Sequence, residues 1–233
     1  MKYYSVSARK WDYLSSIRPD LFIAISQTVS KRIKSYYKRD SVIIYPPVDF
    51  THFSHSSQKK SSKKYFLVVS RMVPYKKIDY VIDTFNELGF ALKIIGNGVD
   101  EKRLKKRAKK NIDFICADLT DQELGWYYQN CVALIFPGEE DFGLTVVEAQ
   151  ACGRPVIALG VGGVIESIVP GKTGELYLRP DKDSLKSAIQ LFMRSKFREE
   201  DCVKNAAQFS KLRFQRQFFT YINAQWSKFK NTL

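Results

Sequence analysis

Residues 136–156 read Phe-Pro-Gly-Glu-Glu-Asp-Phe-Gly-Leu-Thr-Val-Val-Glu-Ala-Gln-Ala-Cys-Gly-Arg-Pro-Val, and this stretch decides the fold. An apolar strand ending near Phe136 runs into an acidic loop, and a helix then opens near Gly143 and stops at Gly153. Such a unit directs the free N–H groups of the first helical turn at whatever lies above the strand end. Because anions suit that position, the pattern predicts a phosphate ligand.

Two carboxylates flank this predicted anion site. Glu140 lies in the loop, and Glu148 follows about one to two turns into the helix, where it can point the same way. One carboxylate near a sugar and one near a ribose, beside a phosphate-binding helix start, form a layout for a sugar nucleotide. The alternative is that both are solvated charges of a loop and a helix.

From Tyr65 onward, short apolar segments alternate with amphipathic ones. This pattern predicts a Rossmann-like, doubly wound α/β domain, in which helices cover both faces of a parallel sheet. Ligands bind such domains at the carboxyl ends of the strands. The predicted strands are 65–69, 92–95, 112–115, 132–136, 156–158 and 175–178. The predicted helices are 78–88, 100–109, 121–130, 143–151, 164–168 and 183–193.

The two ends of the chain follow a different pattern. Segments 11–17 and 29–37 predict helices. Segments 20–25 and 42–45 predict short strands, and residues 50–64 form a polar linker rich in Ser and Lys. Near the carboxyl end, apolar side chains at helical spacing predict one amphipathic helix. They are Phe214, Phe218, Tyr221, Ile222, Trp226 and Phe229.

Residues 136–158 resemble the glutamate–seven residues–glutamate motif of the family 4 retaining glycosyltransferases, which have the two-domain GT-B fold. The full string is most similar to mannosyltransferases of polysaccharide and lipid-linked glycan assembly. The resemblance implies that residues 65–210 are the nucleotide-sugar-binding domain. It further implies that residues 1–49 are a remnant of the amino-terminal acceptor domain with its crossover, that 50–64 are a linker and that 211–233 are a carboxyl-terminal amphipathic helix. Most of the acceptor domain is then absent from this chain.

The resemblance also assigns catalytic roles to individual residues. Glu140 contacts the transferred sugar, and Glu148 binds the ribose. Arg71 and Lys76 lie five apart in the loop after the first strand of the domain. Two cations at a strand end can hold a diphosphate and stabilise the charge of the leaving group. The alternative for these two residues is ordinary surface charge.

Further residues are predicted to bind the donor. Gly96-Asn-Gly98 follows the second strand and matches the family's Gly-Asp-Gly, so it either supports the site or contacts the ligand. Gly162 and Gly163, before a short helix, are expected to shape the site. The backbone N–H groups that the resemblance assigns to the diphosphate and sugar are those of Phe142, Gly143, Leu144 and Thr145.

The implied reaction is retaining glycosyl transfer from a nucleotide-diphosphate sugar, with GDP-mannose as the donor, to a glycan or lipid-linked acceptor. The resemblance implies that no cofactor and no metal are required, since the family is generally metal-independent. An acidic cluster such as residues 139–141 is by itself a weak indicator of Mg²⁺. The alternative is a non-catalytic nucleotide-sugar-binding module, a subunit that works with a separate acceptor-domain polypeptide, or a truncated remnant. Nucleic acid is not expected as a partner, since no aromatic–basic motif of a recognised type occurs.

Composition sets the remaining limits. The hydrophobic fraction of 45% is ample for a packed core, and no apolar run approaches the ~18 residues of a membrane span. The four cysteines form no Cys-x-x-Cys pair, which favours reduced thiols and a cytoplasmic location. The net charge of +14 predicts solvated basic faces, with peripheral contact to an anionic membrane as a further interpretation. We also expect an exposed apolar face at the carboxyl-terminal helix or in the first 25 residues.

Overall fold

The computed structural model of the protein describes residues 2–50 and 64–231, with side chains from residue 6 onward. Almost all of the predicted linker, with both histidines, lies outside the described residues. The chain forms two compact units. The larger unit spans residues 47–213, and the smaller unit combines residues 1–46 with 214–233. Within the described residues, no helix is long and apolar enough to cross a membrane.

Strands and helices alternate through most of the described chain. The strands there are β1 (Ile23–Ala24), β2 (Val42–Ile43), β3 (Phe66–Val69), β4 (Leu92–Ile95), β5 (Ile112–Ile115), β6 (Leu134–Phe136), β7 (Val156–Leu159) and β8 (Gly174–Tyr177). The α-helices there are α1 (Lys2–Ser15), α2 (Gln27–Tyr37), α3 (Ile78–Leu88), α4 (Glu101–Arg107), α5 (Asp121–Asn130), α6 (Leu144–Ala151), α7 (Lys182–Arg194), α8 (Glu199–Ala206) and α9 (Lys211–Lys230).

Six parallel strands form the central sheet of the larger unit, in the order β5-β4-β3-β6-β7-β8. The chain therefore starts in the middle of the sheet, builds one half outward, and returns to build the other half from β6. This order is that of a doubly wound Rossmann-like sheet, so the predicted fold class is confirmed. It creates a switch point between β3 and β6, where ligands bind in such sheets.

Alternate residues of the central strands enter two different cores. Phe66 and Val68 pack on one face of the sheet, whereas Leu67 packs on the other. The same alternation holds in β4, where Ile94 and Ile95 belong to opposite faces. Because helices cover both faces, these strands carry apolar residues throughout rather than every second residue.

The sequence located most elements of the larger unit within two residues, but two predictions need correction. The short helix predicted at 164–168 is a 3₁₀ turn, Gly163–Glu166, which begins directly after Gly162 at a φ of 74°. The sequence also gave no sign of α8. That helix opens with three acidic residues and buries only Cys202, Asn205 and Ala206, so its apolar period is too short to be recognised.

The smaller unit contains the two-stranded parallel pair β1–β2, with α1, α2 and most of α9. The Ser26 side chain caps α2 by accepting a hydrogen bond from the Val29 N–H at 3.1 Å. The predicted exposure of apolar residues is confirmed at both ends of the chain: Trp11 is 67% exposed and Trp226 is 53% exposed. The predicted helix at 11–17 is also longer than expected, since α1 begins at Lys2.

Candidate functional site

The loops that follow β3 and β6 meet at the switch point of the sheet. The first contains a 3₁₀ turn at Pro74–Lys76, and the second runs from Pro137 to Gly143. Lys76 and Glu140, which are 64 residues apart in the chain, form a salt bridge between Nζ and Oε1. The side chain of Lys76 is only 12% exposed and that of Glu140 is 33% exposed, so the pair is largely shielded from water. Two of the three predicted catalytic side chains are therefore in direct contact.

Arg71 lies in the same loop as Lys76 but takes no part in that ion pair. Its side chain is exposed, and Nη2 is 3.4 Å from the hydroxyl of Tyr75. An exposed guanidinium at the mouth of the site can turn toward an incoming anion, whereas Lys76 is held in place by its carboxylate partner. Both cations border Tyr75, since Lys76 Nζ lies 5.1 Å from the centre of that ring.

Two glycines hold the loop that carries Glu140. The N–H of Gly163 donates to the Glu140 carbonyl at 2.8 Å. A Cβ on Gly163 would lie 2.0 Å from the carbonyl oxygen of Asp141, and one on Gly162 would lie 2.4 Å from that of Glu140. Any side chain at these two positions would push the acidic loop away, so the glycines fix the place of Glu140 by close backbone packing.

Gly96 and Gly98 do the same for the loop that carries Arg71. Their φ values are 131° and 154°, and a Cβ on either would lie within 2.3 Å of the carbonyl oxygen of Ser70 or Met72. The Met72 N–H also donates to the Asn97 carbonyl at 2.7 Å. Close packing between the two loops accounts for both glycines, while donor contact by Gly96 and Gly98 stays a prediction.

The start of α6 faces the same end of the sheet. Gly143 is the N-cap residue at a φ of 87°, a conformation that favours glycine. Leu144 is exposed and Thr145 is half-buried, so the first turn of the helix is accessible. By contrast, the Phe142 ring is buried and packs edge-on against Phe209, with the centroids 5.3 Å apart. The first N–H groups of a helix have no partner within it, which makes this turn suitable for an anion.

Glu148 lies within α6 and is held by a side chain that the sequence did not single out. The fully buried Tyr128 of α5 donates its hydroxyl to Glu148 Oε2 at 2.8 Å. Burial raises the pKa of Glu148, and the hydrogen bond from Tyr128 opposes that rise. The pKa of Tyr128 is itself raised by burial and by the nearby carboxylate. Nothing in the sequence distinguished Tyr128 from the other aromatic residues of α5.

Two tyrosines, Tyr80 and Tyr177, support the acidic loop. The Tyr80 hydroxyl donates to the Pro137 carbonyl at 2.9 Å and lies 2.6 Å from the Tyr177 hydroxyl. Because Tyr80 has already donated its only proton, Tyr177 must donate to Tyr80. Both tyrosines are buried, and burial raises the pKa of each phenol. This chain of hydroxyls ties the start of the Glu140 loop to α3 and β8.

The acidic and cysteine side chains of the described residues suit neither a metal site nor a thiolate nucleophile. No group of three His, Cys, Asp or Glu side chains there is arranged to hold a metal ion. All four cysteines are free thiols. Burial raises the pKa of Cys152 to about 12 and that of Cys202 to about 12, so neither is a thiolate nucleophile near neutral pH.

Comparison with known proteins finds relatives that are named as glycosyltransferases. The chain is 26% identical over 212 residues to an uncharacterized glycosyltransferase of Methanocaldococcus jannaschii, which covers 89% of this chain and 59% of the relative. It is 26% identical over 195 residues to the alpha-1,3/1,6-mannosyltransferase ALG2 of Dictyostelium discoideum, which covers 65% of this chain and 46% of the relative. The chain thus spans about half the length of these relatives.

Solved structures share the fold at low sequence identity. The sucrose-phosphate synthase of Thermosynechococcus elongatus superposes with a TM-score of 0.84 at 19% identity, covering 95% of this chain and 62% of that chain. The Anabaena HepE protein in complex with UDP-glucose superposes with a TM-score of 0.82 at 19% identity, covering 96% and 69%. The fold is therefore that of GT-B glycosyltransferases. The family model for glycosyl transferases group 1 matches residues 49–209, more than half of the chain, and the chain accordingly belongs to that family.

Proposed function

We propose that the larger unit binds a nucleotide-diphosphate sugar at the switch point and supplies the donor site of a retaining glycosyl transfer. The observation that carries this proposal is the shielded Lys76–Glu140 pair, which lies where β3 and β6 diverge. A fixed carboxylate and a fixed ammonium at that point place opposite charges where a sugar and its diphosphate would lie side by side.

Four predicted side chains and the first turn of α6 have roles in this proposal. Lys76 and Arg71 bind the diphosphate, and the first turn of α6 adds backbone N–H donors. Glu140 contacts the transferred sugar, and Glu148, oriented by Tyr128, accepts hydrogen bonds from the ribose. The bond from the anomeric carbon to the diphosphate oxygen breaks, and the acceptor oxygen bonds to the same face of that carbon. The acceptor's proton passes to the departing diphosphate, and the cations Lys76 and Arg71 are proposed to stabilise its charge without a metal.

GDP-mannose is the donor we propose, with UDP-glucose as the competing candidate. The relative named as an alpha-1,3/1,6-mannosyltransferase supports mannose. The structural neighbour in complex with UDP-glucose supports the alternative, because its fold is shared over nearly the whole chain. Nucleotide binding measures the choice between guanine and uracil.

The acceptor is proposed to be a glycan or a lipid-linked sugar. Because the chain spans only about half of its curated relatives, complete transfer is proposed to need an acceptor domain as well. A non-catalytic nucleotide-sugar-binding module is the second candidate, and it shares the donor site but not the reaction. Measuring donor hydrolysis and transfer separately from donor binding distinguishes the two.

The first experiment is thermal unfolding of the purified chain with GDP, UDP, ADP, GDP-mannose and UDP-glucose, in the presence of EDTA. A ligand at about a hundredfold over its dissociation constant should add roughly 2.7 kcal/mol to the stability of the folded state. Stabilisation by GDP-mannose and GDP alone supports GDP-mannose as the donor. Stabilisation by UDP-glucose and UDP alone would show that UDP-glucose is the donor instead. No stabilisation by any nucleotide contradicts the donor site.

Variants locate the binding within the chain. Lys76→Ala should weaken diphosphate binding roughly tenfold or more, because a charge-assisted hydrogen bond contributes about 1.5–3 kcal/mol. Glu148→Ala should weaken binding of the nucleoside as much as binding of the diphosphate nucleotide. Lys102→Ala, which removes an exposed cation from α4, is the matched control and should leave affinity unchanged. If Lys76→Ala and Lys102→Ala reduced nucleotide affinity equally, net charge alone would account for the binding.

A further inference from the structure

Tyr75 is the exposed tyrosine among the described residues of the larger unit. It lies in the 3₁₀ turn Pro74–Lys76 and is 57% exposed. The other tyrosines described in that unit are buried or half-buried, namely Tyr65, Tyr80, Tyr127, Tyr128 and Tyr177. Packing of the core therefore accounts for those five rings but not for Tyr75, whose ring lies in a loop that borders the candidate site.

Two different parts of the Tyr75 side chain contact the two cations of the site. Arg71 donates from Nη2 to the Tyr75 hydroxyl at 3.4 Å. The Lys76 ammonium lies over the Tyr75 ring, 5.1 Å from its centre. Because the electron-rich face of a ring attracts a cation within about 6 Å of its centroid, this second contact is a cation–π interaction. Tyr75 is thus a common neighbour of Arg71 and Lys76.

The two cations differ in how firmly they are held. Lys76 lies against the Tyr75 ring and forms a salt bridge with Glu140. Its stem also packs against the chain, since a Cβ on Gly138 would lie 3.6 Å from Lys76 Cδ. Arg71 is exposed and uses one of its five N–H bonds in the contact with Tyr75. The Tyr75 hydroxyl therefore keeps the guanidinium beside Lys76 while its planar fork stays at the surface.

The backbone that carries Tyr75 is fixed on both sides. Before it, the loop packs closely against Gly96 and Gly98. After it, the Lys77 N–H donates to the Pro74 carbonyl at 3.1 Å and closes the 3₁₀ turn. Pro74 opens that turn with a φ angle that its own ring restricts. A side chain on such a turn can set the positions of its neighbours, because its own Cα is held in place.

We infer that Tyr75 is a positioning residue that holds Arg71 and Lys76 ready for the diphosphate of the donor. This inference rests on the proposed function. Two cations that bind one diphosphate repel each other, and each has a long side chain that loses rotamer freedom on binding. A ring face and a hydroxyl oxygen beside the cations reduce both costs before the ligand arrives, and groups ordered in advance bind more tightly.

The test is calorimetric titration of the full chain and its variants with GDP, UDP, guanosine and uridine. Tyr75→Phe removes the hydroxyl that contacts Arg71 but keeps the ring, so it should weaken binding of the diphosphate nucleotide roughly threefold. Tyr75→Leu removes both contacts and should weaken it roughly tenfold. Neither variant should change nucleoside affinity. Phe90→Leu is the control, because it removes a 38%-exposed ring directly before β4, at the opposite edge of the sheet.

A double-mutant cycle with Arg71→Ala separates positioning from direct contact with the ligand. If the hydroxyl acts through Arg71, Tyr75→Phe should have little further effect in a chain that already carries Arg71→Ala. The coupling between the two substitutions should then account for most of the threefold loss. Fully additive losses would show that the hydroxyl acts on the ligand by itself, and would overturn the positioning role.

The remaining outcomes distinguish this inference from the proposed function. If the unmodified chain binds neither GDP nor UDP, the proposed donor site fails and this inference fails with it. If the chain binds a nucleotide and Tyr75→Leu binds it as tightly as Phe90→Leu does, the donor site stands and the inference alone is wrong. Denaturant unfolding of each variant gives its stability. Equal weakening of nucleoside and nucleotide in a destabilised Tyr75→Leu chain would show a merely structural role and would also overturn the inference.

Discussion

The two units of this chain use the same kinds of elements but bury them to very different degrees. In the larger unit, six parallel strands are covered on both faces, and β3, β6 and β7 are almost wholly buried. In the smaller unit, β1 and β2 form only a two-stranded pair, and α9 buries no residue completely. A sheet of six covered strands can hold loops at fixed positions, whereas a two-stranded pair is marginal by itself. The difference explains why the candidate site belongs to the larger unit.

The sharpest way to break the packing of the larger unit is Gly163→Ala. The added Cβ would lie 2.0 Å from the Asp141 carbonyl oxygen, so the Glu140 loop must move. We expect a loss of about 3 kcal/mol in the free energy of unfolding together with loss of nucleotide binding. Gly171→Ala is the control, because its φ is 75° but no atom lies within 4 Å of the added Cβ. It should cost about 1 kcal/mol and leave binding intact. Denaturant unfolding and nucleotide binding measure both, and similar losses in the two would show that the loop contact is not required.

Tyr80→Phe tests whether the buried hydroxyls support the acidic loop. Removing the Tyr80 hydroxyl leaves the Pro137 carbonyl and the Tyr177 hydroxyl without their partner, which should cost about 1–3 kcal/mol. We also expect the substitution to weaken binding of the sugar nucleotide more than binding of the free nucleotide, because Glu140 is proposed to contact the sugar. Tyr177→Phe keeps the hydrogen bond from Tyr80 to Pro137, so its effect on binding should be smaller. Calorimetric titration with GDP-mannose and GDP measures the difference, and equal effects would remove the supporting role of Tyr80.

A pair of helix-cap variants sharpens the comparison between the units. Ser26→Ala removes the cap of α2 in the smaller unit, and Thr120→Ala removes the cap of α5 in the larger one. Each should cost about 1 kcal/mol. Hydrogen exchange read by mass spectrometry should then show faster exchange in α2 alone for the first and in α5 alone for the second. If either substitution speeds exchange across both helices, the two units unfold together and their separation has no thermodynamic meaning.

The smallest expected effect is the pH dependence of Glu148→Gln. Because burial raises the pKa of Glu148, the folded state favours its neutral form, and stability is lost as pH rises through the raised value. The Gln variant keeps the acceptor for Tyr128 without the charge, so it should gain stability over the unmodified chain at neutral pH but not below pH 4.5. Glu101→Gln is the control of opposite sign, since Lys105 lowers the pKa of Glu101 and the variant should lose stability at neutral pH. Thermal unfolding across pH measures both, and a flat difference for Glu148→Gln contradicts the buried-carboxyl assignment.

Much of the larger unit could be predicted because its information is local. The helices Ile78–Leu88 and Asp121–Asn130 and the strands Leu92–Ile95 and Ile112–Ile115 occur at their predicted bounds. Their apolar pattern lies within each segment, and Gly89 and Gly96 mark the ends of two of them. The helix Glu199–Ala206 escaped prediction because its few buried positions include a polar residue. The 3₁₀ turn at Gly163–Glu166 differed because packing against the Glu140 loop, not periodicity, shapes it.

The sequence by itself determined the alternation of strands and helices, the acidic loop before α6 and the position of the candidate site at the carboxyl ends of the strands. Only the tertiary structure decided which side chains meet there. Lys76 reaches Glu140 across 64 residues, and Tyr128 reaches Glu148 across 20. The tertiary structure also decided which apolar residues of α9 stay exposed, among them Trp226 and Phe229. A segment's hydrogen-bonding and burial preferences depend on its own residues. The distances between segments depend instead on the order of the strands in the whole sheet.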